Sequence, residues 1–459
     1  MEKKEAFFTH DRDFYKTLFG MLWIVSMQNV VAYCVNMADN IMLGSYSQDA
    51  LSGAAAVNQI FFMVQMLAGS IGNALVVIAS QYWGKKTVWP IRVLTGTAIR
   101  TALIFGAAVT VLCSIWPRQL LLIFTSDPAI LSEGLIYLNI LRWTFMMYMV
   151  TNVFYCALRS MGTVNISFYI SFMSLIVNVA VNYALIYGSF GFPRMGIAGA
   201  AIGTLIARSL ELFAIVLVFI RHNTKLKFGI GNIFSTDAEM RKDYFRVLTP
   251  VMTSTMLWSV SVPLQTAILG HLKPDTTAAD AIAANSVATT FYQTLKVVVN
   301  AMASVSGVMI GNSIGKGSLE RIRSDARSLS VIDVLLGLVM GGILFLLKDP
   351  LLSLYRLSDT AMVLSDHLIV IMCFVMVGMA YQMSVASGII QGGGDTGFAM
   401  KLNLISTWAI VMPLSFMAAF WWKWPVEAVV IAIQSDQFFK GIPVFIRFRS
   451  YKWIKKLTH

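Results

Sequence analysis

The chain has 459 residues, of which 57% are hydrophobic and only 13% are charged, and its mean hydropathy is +0.70. Soluble domains contain about 45–50% apolar and about 25% charged residues, so the composition excludes an ordinary soluble domain. We therefore predict a membrane protein, and the formal net charge of +12 must be consistent with that class.

Twelve apolar runs follow one another along the chain, most of them 20 to 30 residues long. At about 1.5 Å per helical residue, such a run crosses a hydrocarbon core of about 30 Å. Membrane strands would alternate over about 10 residues, and runs such as "LIVIMCFVMVGM" do not alternate. We therefore predict an all-α polytopic membrane protein with twelve transmembrane helices. The predicted spans are 18–43, 50–80, 93–115, 131–157, 165–188, 196–220, 247–269, 280–310, 327–347, 361–389, 399–421 and 426–446.

Basic residues are concentrated on one side of the predicted membrane. With the N-terminus inside, the inside segments hold 24 Lys and Arg when Arg327 and Lys401 at the span ends are included, and the outside loops hold 6. This is the positive-inside pattern, so we predict cytoplasmic termini in a multi-pass cell-membrane protein without a nucleic-acid partner. The polar stretch 1–16 and the long apolar run after it predict an uncleaved first helix rather than a removable signal peptide.

The sequence lacks the patterns of enzymes, metal sites and ATPases. Its four cysteines fall within apolar spans without ligand-like spacing, and no paired Asp, His-Glu or Ser-Lys constellation is present. The stretch "GNSIGKGS" departs from the phosphate-loop spacing. We expect no cofactor and no enzymatic activity; an intramembrane enzyme is a remote alternative.

The two halves of the chain repeat each other. "DALSGAA" at 49–55 aligns with "DAIAANS" at 280–286, and "LRSMGT" at 158–163 aligns with "IQGGGD" at 390–395. Because each copy holds six predicted spans, both copies cross the membrane in the same direction, as two parallel six-helix bundles. The predicted domains are an N-terminal bundle at 1–220, a cytoplasmic linker at 221–246, and a C-terminal bundle at 247–459 with a basic tail.

Several motifs in the same order resemble the multidrug and toxic compound extrusion (MATE) transporters. They are "MADNIMLGSYSQDALSGAA" in the first two spans, "ALRSMGTVNISFYISFMSLIVNVAVNYALIYGSFGFPRMGIAGAAIGTLIAR" in the fourth to sixth, and "VMIGNSIGKGSLERI" and "IIQGGGDTGFAM" in the second half. The resemblance covers nearly the whole chain. It implies a secondary transporter that exports small organic cations or amphipathic drugs in exchange for H+ or Na+, and we expect the protein to be a monomer.

The resemblance also implies where the coupling ion binds. In the DinF-like branch, whose N-terminal half carries the ion site, the matching residues are Asp39, Asn178, Asn182 and Thr204, with Asn152 as a neighbour. Some members carry Asp where Asn182 stands. The branch with acids on the seventh and tenth helices is disfavoured, because "TSTMLWSVSVPLQ" and "FVMVGMAYQMSV" contain none.

The chemistry of these residues agrees with an ion site. Asn178 and Asn182 are four apart on one helix face, and a carboxylate, two amides and a hydroxyl form a hard-oxygen set suited to Na+. A carboxylate in apolar surroundings is also easier to protonate, so Asp39 could carry H+ instead. The alternatives are an interfacial Asp39, hydrogen bonds between helices for the two asparagines, and a back-bond to its own helix for Thr204.

Other polar residues within the spans need separate interpretations. Two charged pairs, Arg208 with Glu211 and Asp436 with Lys440, have helical spacing and are expected to neutralise themselves. We expect Lys296 to pair with an acid from another helix, and leave Arg142 unassigned. The expected lining of a substrate cavity is Gln59, Tyr155, Gln265, Asn285 and Lys296. Because basic residues lie within the spans, a flippase of lipid-linked oligosaccharides or other lipids is the main alternative function.

Overall fold

The structure is a computed structural model that describes residues 7–221, 225–270, 278–353, 355 and 357–458. Throughout these residues the regular structure is helical, and no strand occurs in them. The predicted all-α class is therefore confirmed for the described chain. Two predicted features, the start of the polar N-terminal stretch at 1–6 and the loop at 271–277, lie outside the described residues.

Twelve long helices account for most of the described chain, numbered α1 to α12 in chain order. They are α1 (Arg12–Tyr46), α2 (Gln48–Gly84), α3 (Trp89–Ile115), α4 (Pro128–Ser160), α5 (Asn165–Tyr187), α6 (Ile197–Arg221), α7 (Ala238–Gly270), α8 (Ala278–Lys316), α9 (Leu319–Leu352), α10 (Asp359–Ile390), α11 (Thr396–Trp421) and α12 (Val426–Arg449). A short helix, Pro117–Leu122, lies between α3 and α4. Each predicted span lies within one of these helices, with at most one residue beyond the end of the helix. Most helices extend beyond the predicted span.

Eleven of the twelve helices are long and apolar enough to span a membrane by length and composition. The exception is α4, whose 33 residues are long enough but include polar and aromatic side chains such as Asn139, Arg142 and Asn152. Several helices begin before the predicted apolar run because a capping residue stabilises their first turn. The side chains of Ser47, Asp127 and other residues accept hydrogen bonds from backbone amides of that turn.

The chain divides into two compact units. One unit is Trp23–Leu248, and the other joins the residues before Trp23 to the chain from Thr249 onward. We call them the first and second units. The boundaries thus lie inside α1 and α7 rather than at the ends of 221–246, and the two six-helix domains defined by sequence stay a prediction.

The predicted linker at 221–246 packs against α3 in the first unit. The short 3-10 helix Ile230–Ile233 lies so close to α3 that a Cβ at Gly96 would be 2.3 Å from the Asn232 carbonyl oxygen. Arg92 Nε also donates a hydrogen bond of 2.6 Å to the Leu226 carbonyl. Residues 222–224 lie outside the described chain. The described part of this segment is therefore anchored to the bundle at these contacts, although many of its side chains are exposed.

Two helices of the second unit contain π-helical segments. In α10 the segment is Ser384–Ile390, and in α11 the segments are Ile405–Val411 and Met417–Trp421. A π-helical turn accommodates an extra residue, and such turns occur frequently at functional sites. In the first copy of the repeat, the helix that corresponds to α10 is α4, and it is a regular α-helix. The second copy therefore has a local irregularity in α10 that its counterpart lacks.

Candidate functional site

The four residues predicted for ion coupling lie together in the first unit. Asp39 is on α1, Asn178 and Asn182 are on α5, and Thr204 is on α6; all four are buried. Asn182 Nδ2 donates to Asp39 Oδ1 at 2.6 Å and to Asn178 Oδ1 at 3.3 Å. Asn178 Nδ2 donates in turn to Thr204 Oγ1 at 3.3 Å. We call these four side chains the Asp39 cluster.

Close packing of α5 against α6 holds the cluster in place. An added Cβ at Gly203 would lie 1.9 Å from Asn182 Oδ1, and one at Gly199 would lie 2.7 Å from the Leu185 carbonyl carbon. Small residues at helix contacts allow such a close approach in membrane proteins. The glycines of the sequence "GIAGAAIGT" therefore position Asn182 beside Asp39. This gives a structural role to a motif that the sequence shares with the MATE transporters.

A second polar group lies nearby in the first unit. Arg208 Nη1 and Glu211 Oε2 form a salt bridge of 2.7 Å, as their spacing predicted. The hydroxyl of Tyr155, a residue predicted to line a substrate cavity, donates a hydrogen bond of 2.7 Å to Glu211 Oε1. The Arg208 guanidinium stacks over the Tyr148 ring at 5.0 Å and interacts electrostatically with Asp39. The two polar groups therefore belong to one electrostatic site.

A cavity of about 40 Å³ joins the two groups. Its polar walls are the side chains Ser171, Ser174, Asn178, Thr204, Arg208 and Glu211, and α1 covers it with apolar residues. A single water needs a cavity of about 10–15 Å³, whereas drug-sized ligands occupy pockets of about 300–1,000 Å³. The cavity can admit a hydrated ion or a few waters, and is too small for an organic cargo in this conformation.

One member of this site was missed by sequence reasoning. Tyr137 on α4 is only 2% exposed and lies close enough to interact with both Thr204 and Asp39. A single tyrosine in an apolar run has no distinguishing pattern, so the sequence offered no signal for it. Two other predicted residues lie elsewhere in the first unit: Asn152 donates a hydrogen bond of 2.7 Å to the Ala68 carbonyl, and Gln59 is exposed on α2.

The remaining predicted cavity residues lie together in the second unit. Gln265, Asn285 and Lys296 line a cavity of about 150 Å³ whose wall also includes Asp436. The Lys296 ammonium lies 5.5 Å from the centre of the Trp258 ring. Lys296 interacts electrostatically with Asp436, an acid on another helix.

The expected ion pair of Lys296 is nevertheless not formed with any described residue. Asp436 instead pairs with Lys440 at 2.7 Å, as the spacing predicted. Arg142, left unassigned by the sequence, has a buried Nε without a hydrogen-bond partner among the described residues, and its guanidinium lies 5.6 Å from the Trp143 ring centre. Neither cation therefore shows a clear functional contact.

Comparisons with known proteins agree with this architecture. The MatE family model matches the chain twice, at residues 25–184 and 250–417. A protein named probable multidrug resistance protein NorM from Thermotoga maritima is 25% identical over 432 residues, which cover 94% of this chain and 91% of that protein. A protein named uncharacterized transporter YisQ from Bacillus subtilis is 21% identical over 445 residues, which cover 96% of this chain and 95% of that protein.

Solved structures show the same fold. An outward-facing multidrug resistance MATE family transporter aligns with a TM-score of 0.84 at 18% identity, covering 95% of both chains. A MOP superfamily transporter from Pyrococcus furiosus aligns with a TM-score of 0.85, covering 96% of this chain and 97% of that one. These alignments confirm the predicted twelve-helix polytopic membrane fold. Since the family model matches more than half of the residues, in two successive copies, the chain belongs to the MatE family of multidrug and toxic compound extrusion transporters.

Proposed function

We propose that the chain is a secondary active exporter of cationic or amphipathic organic compounds, driven by exchange for H+ or Na+. Membership of the MatE family and the multidrug resistance names of several relatives support this proposal. The observation that carries it is the buried charge of the first unit: with Asp39, Arg208 and Glu211 ionised, the site has a net charge of −1. A buried net charge of this kind is unfavourable unless a cation neutralises it.

The single negative charge provides a physical basis for exchange. One proton or one Na+ at the Asp39 cluster brings the charge of the site to zero, and a cationic cargo could neutralise the same charge instead. Two cations that compete for one compensating charge cannot both bind favourably, so entry of one promotes release of the other. We therefore propose a stoichiometry of one coupling cation for each transport cycle.

The residues of the cluster suit either coupling ion. A proton would bind the Asp39 carboxylate, which Asn182 already contacts as a donor. A Na+ ion would use the oxygens of Asp39, Asn178, Asn182 and Thr204, and Asn182 Oδ1 is a buried oxygen without a hydrogen-bond partner among the described residues. Both ions remove the same charge from the site, so either gradient could drive the exchange. This arrangement favours assignment to the DinF-like branch, with its ion site in the N-terminal half.

The second-unit cavity is our candidate for contact with the polar part of an amphipathic cargo. It is lined by Gln265, Asn285 and Lys296. Its volume of about 150 Å³ is below that of typical ligand pockets, so cargo binding requires a wider conformation than the one described. Movement between conformations with different access would then release the cargo on the other side.

We further propose that the protein works as a monomer in the cell membrane with both termini in the cytoplasm. The excess of basic residues on one side of the predicted spans supports this orientation. Family membership supports a multi-pass transporter, and an enzymatic activity or a bound cofactor is not part of the proposal.

The test is transport by the purified full-length protein in liposomes, with Na+ and pH gradients imposed separately. We expect efflux of a fluorescent cationic dye driven by one of the two gradients, and the effective gradient identifies the coupling ion. A parallel assay follows scrambling of a fluorescent lipid. Lipid scrambling without dye transport would overturn the exporter proposal and favour the flippase alternative.

A further inference from the structure

The second unit contains a buried acid that neither the sequence motifs nor the proposed exchange site uses. Asp333 lies in the middle of α9 and is fully buried. Neither of its carboxylate oxygens has a hydrogen-bond partner among the described residues. An isolated ionised carboxylate in apolar surroundings is very unfavourable, and such a group normally takes up a proton instead.

The surroundings of Asp333 leave little room for water. Gly337 and Gly341 follow it at intervals of four on the same face of α9. A Cβ at Gly337 would lie 2.7 Å from the Ala380 Cβ, and one at Gly341 would lie 2.7 Å from the Cys373 carbonyl oxygen. Both contacts are with α10, so the face that carries Asp333 is pressed directly against that helix.

The polar neighbours of Asp333 on α10 are two hydroxyl groups. Ser384 is its side-chain hydrogen-bonding neighbour, although the geometry falls short of a formed bond, and Tyr381 lies within its electrostatic influence. The Tyr381 hydroxyl and Ser384 Oγ are themselves buried without partners among the described residues. Three unpaired polar groups therefore meet at one point of the helix contact, where Ser384 begins the π-helical segment of α10.

The charged groups on the packed helices are directed elsewhere. On α9 itself, Arg327 stacks over the Phe7 ring and Lys348 pairs with Asp366. On α8, the other helix that packs against α9, Lys296 and Tyr292 respond to the charge of Asp436. Within the described chain, Asp333 therefore has no counter-ion to stabilise its charged form.

We propose that Asp333 is a proton-binding site of the second unit, protonated in this conformation and able to release its proton when α9 and α10 separate. The neutral carboxylic acid suits the dry contact and can donate a hydrogen bond to Ser384 after a small rotation. Release breaks the O–H bond of the acid, leaves a carboxylate, and transfers the proton to entering water. Proton binding itself stands without the proposed exporter function, whereas a role of this proton in transport rests on it.

Infrared difference spectroscopy of the purified full-length protein in lipid tests the proposal directly. We compare acidic and alkaline buffers and follow the C=O stretch of protonated carboxylic acids. The wild type should show a protonated carboxyl band with a component that disappears at alkaline pH, and this component should be absent from Asp333→Asn, a nearly isosteric neutral variant. The control Asp359→Asn, which removes an exposed carboxylate at the start of α10, should keep the band.

Two further variants keep the test decisive. Ser384→Ala should keep the band but shift its frequency, because the polar neighbour of the acid is removed. Asp39→Asn should also keep it, so failure of the first-unit proposal would not affect this result. In dye-efflux assays, Asp333→Asn should displace the pH dependence by about one unit, equivalent to a tenfold change in proton affinity.

Two outcomes would overturn the proposal. If Asp333→Asn retains the full protonated carboxyl signal, Asp333 is ionised in the protein. If the band is lost in Asp333→Asn but does not respond to pH in the wild type, and efflux keeps its pH profile, the acid is a permanently neutral packing group. In both cases Asp333 is not a proton-releasing site.

Discussion

Replacing Asp39 with Asn removes one charge from the first-unit site while preserving its shape. An amide oxygen can still accept the hydrogen bond that Asn182 Nδ2 donates at 2.6 Å, so the packing of α1 against α5 should persist. The net charge of the site with Arg208 and Glu211 changes from −1 to 0. Two unit charges about 4 Å apart interact by about 4 kcal/mol at an effective dielectric constant of 20, which corresponds to about 10³-fold in cation affinity.

The assay is gradient-driven dye efflux from liposomes, paired with dye binding to the detergent-solubilised variant. We expect Asp39→Asn to abolish efflux under both Na+ and pH gradients at ordinary ion concentrations, while the protein remains folded. Asp49→Asn is a matched control, because it removes an exposed carboxylate at the start of α2. Unchanged efflux in Asp39→Asn would refute the charge argument and direct attention to Lys296 and the second unit.

Three further variants test the packing and the ion pair. Gly203→Ala should displace Asn182, since the new Cβ would lie 1.9 Å from its Oδ1; we expect a loss of about 1–3 kcal/mol in thermal unfolding and impaired efflux. Arg208→Gln should destabilise the protein by about 3–5 kcal/mol in the same measurement, because Glu211 is left buried without its cation. Gly337→Ala should cost about 1–3 kcal/mol, because α9 and α10 must move apart, and unfolding in mild detergent should report it.

Each of these variants has a control in the same unit. Gly69→Ala and Gly342→Ala place a methyl group where no atom lies within 4 Å apart from the neighbouring backbone of the same helix, and should be neutral or stabilising by up to about 1 kcal/mol. For the ion pair, adding Glu211→Gln to Arg208→Gln should recover much of the lost stability. Equal losses in the glycine variants and their controls, or no recovery in the double variant, would contradict the proposed contacts.

The helices and the Asp39 cluster were predictable because their signals are local or repeated. A run of apolar residues identifies a spanning helix regardless of its neighbours, and α4 was found this way despite its polar residues. Asn178 and Asn182 share a face at any helix orientation, since their spacing is four residues. Their position beside Asp39 and Thr204, however, could be predicted only from the family resemblance, because periodicity alone does not indicate which helices are in contact.

The features that were missed depend on packing between helices. Asp333 is visible in the sequence as a lone acid in an apolar run, but the family resemblance points to acids only in the seventh and tenth spans of the second half. Tyr137 has no sequence signal at all. The expected ion pair of Lys296 was not found because Asp436 already has a partner on its own helix, Lys440, which the sequence had also indicated.

The π-helical segment of α10 records a difference in length between the two copies of the repeat. The residues that cap α4 and α10, Asp127 and Ser358, are 231 positions apart. The left-handed glycines that follow these helices, Gly162 and Gly394, are 232 apart. The second copy therefore gained one residue, or the first lost one, between the cap and the glycine. The π-helical turn at Ser384–Ile390 accommodates that residue. The difference in length between the two copies is therefore a local bulge within a helix and does not lengthen the following loop.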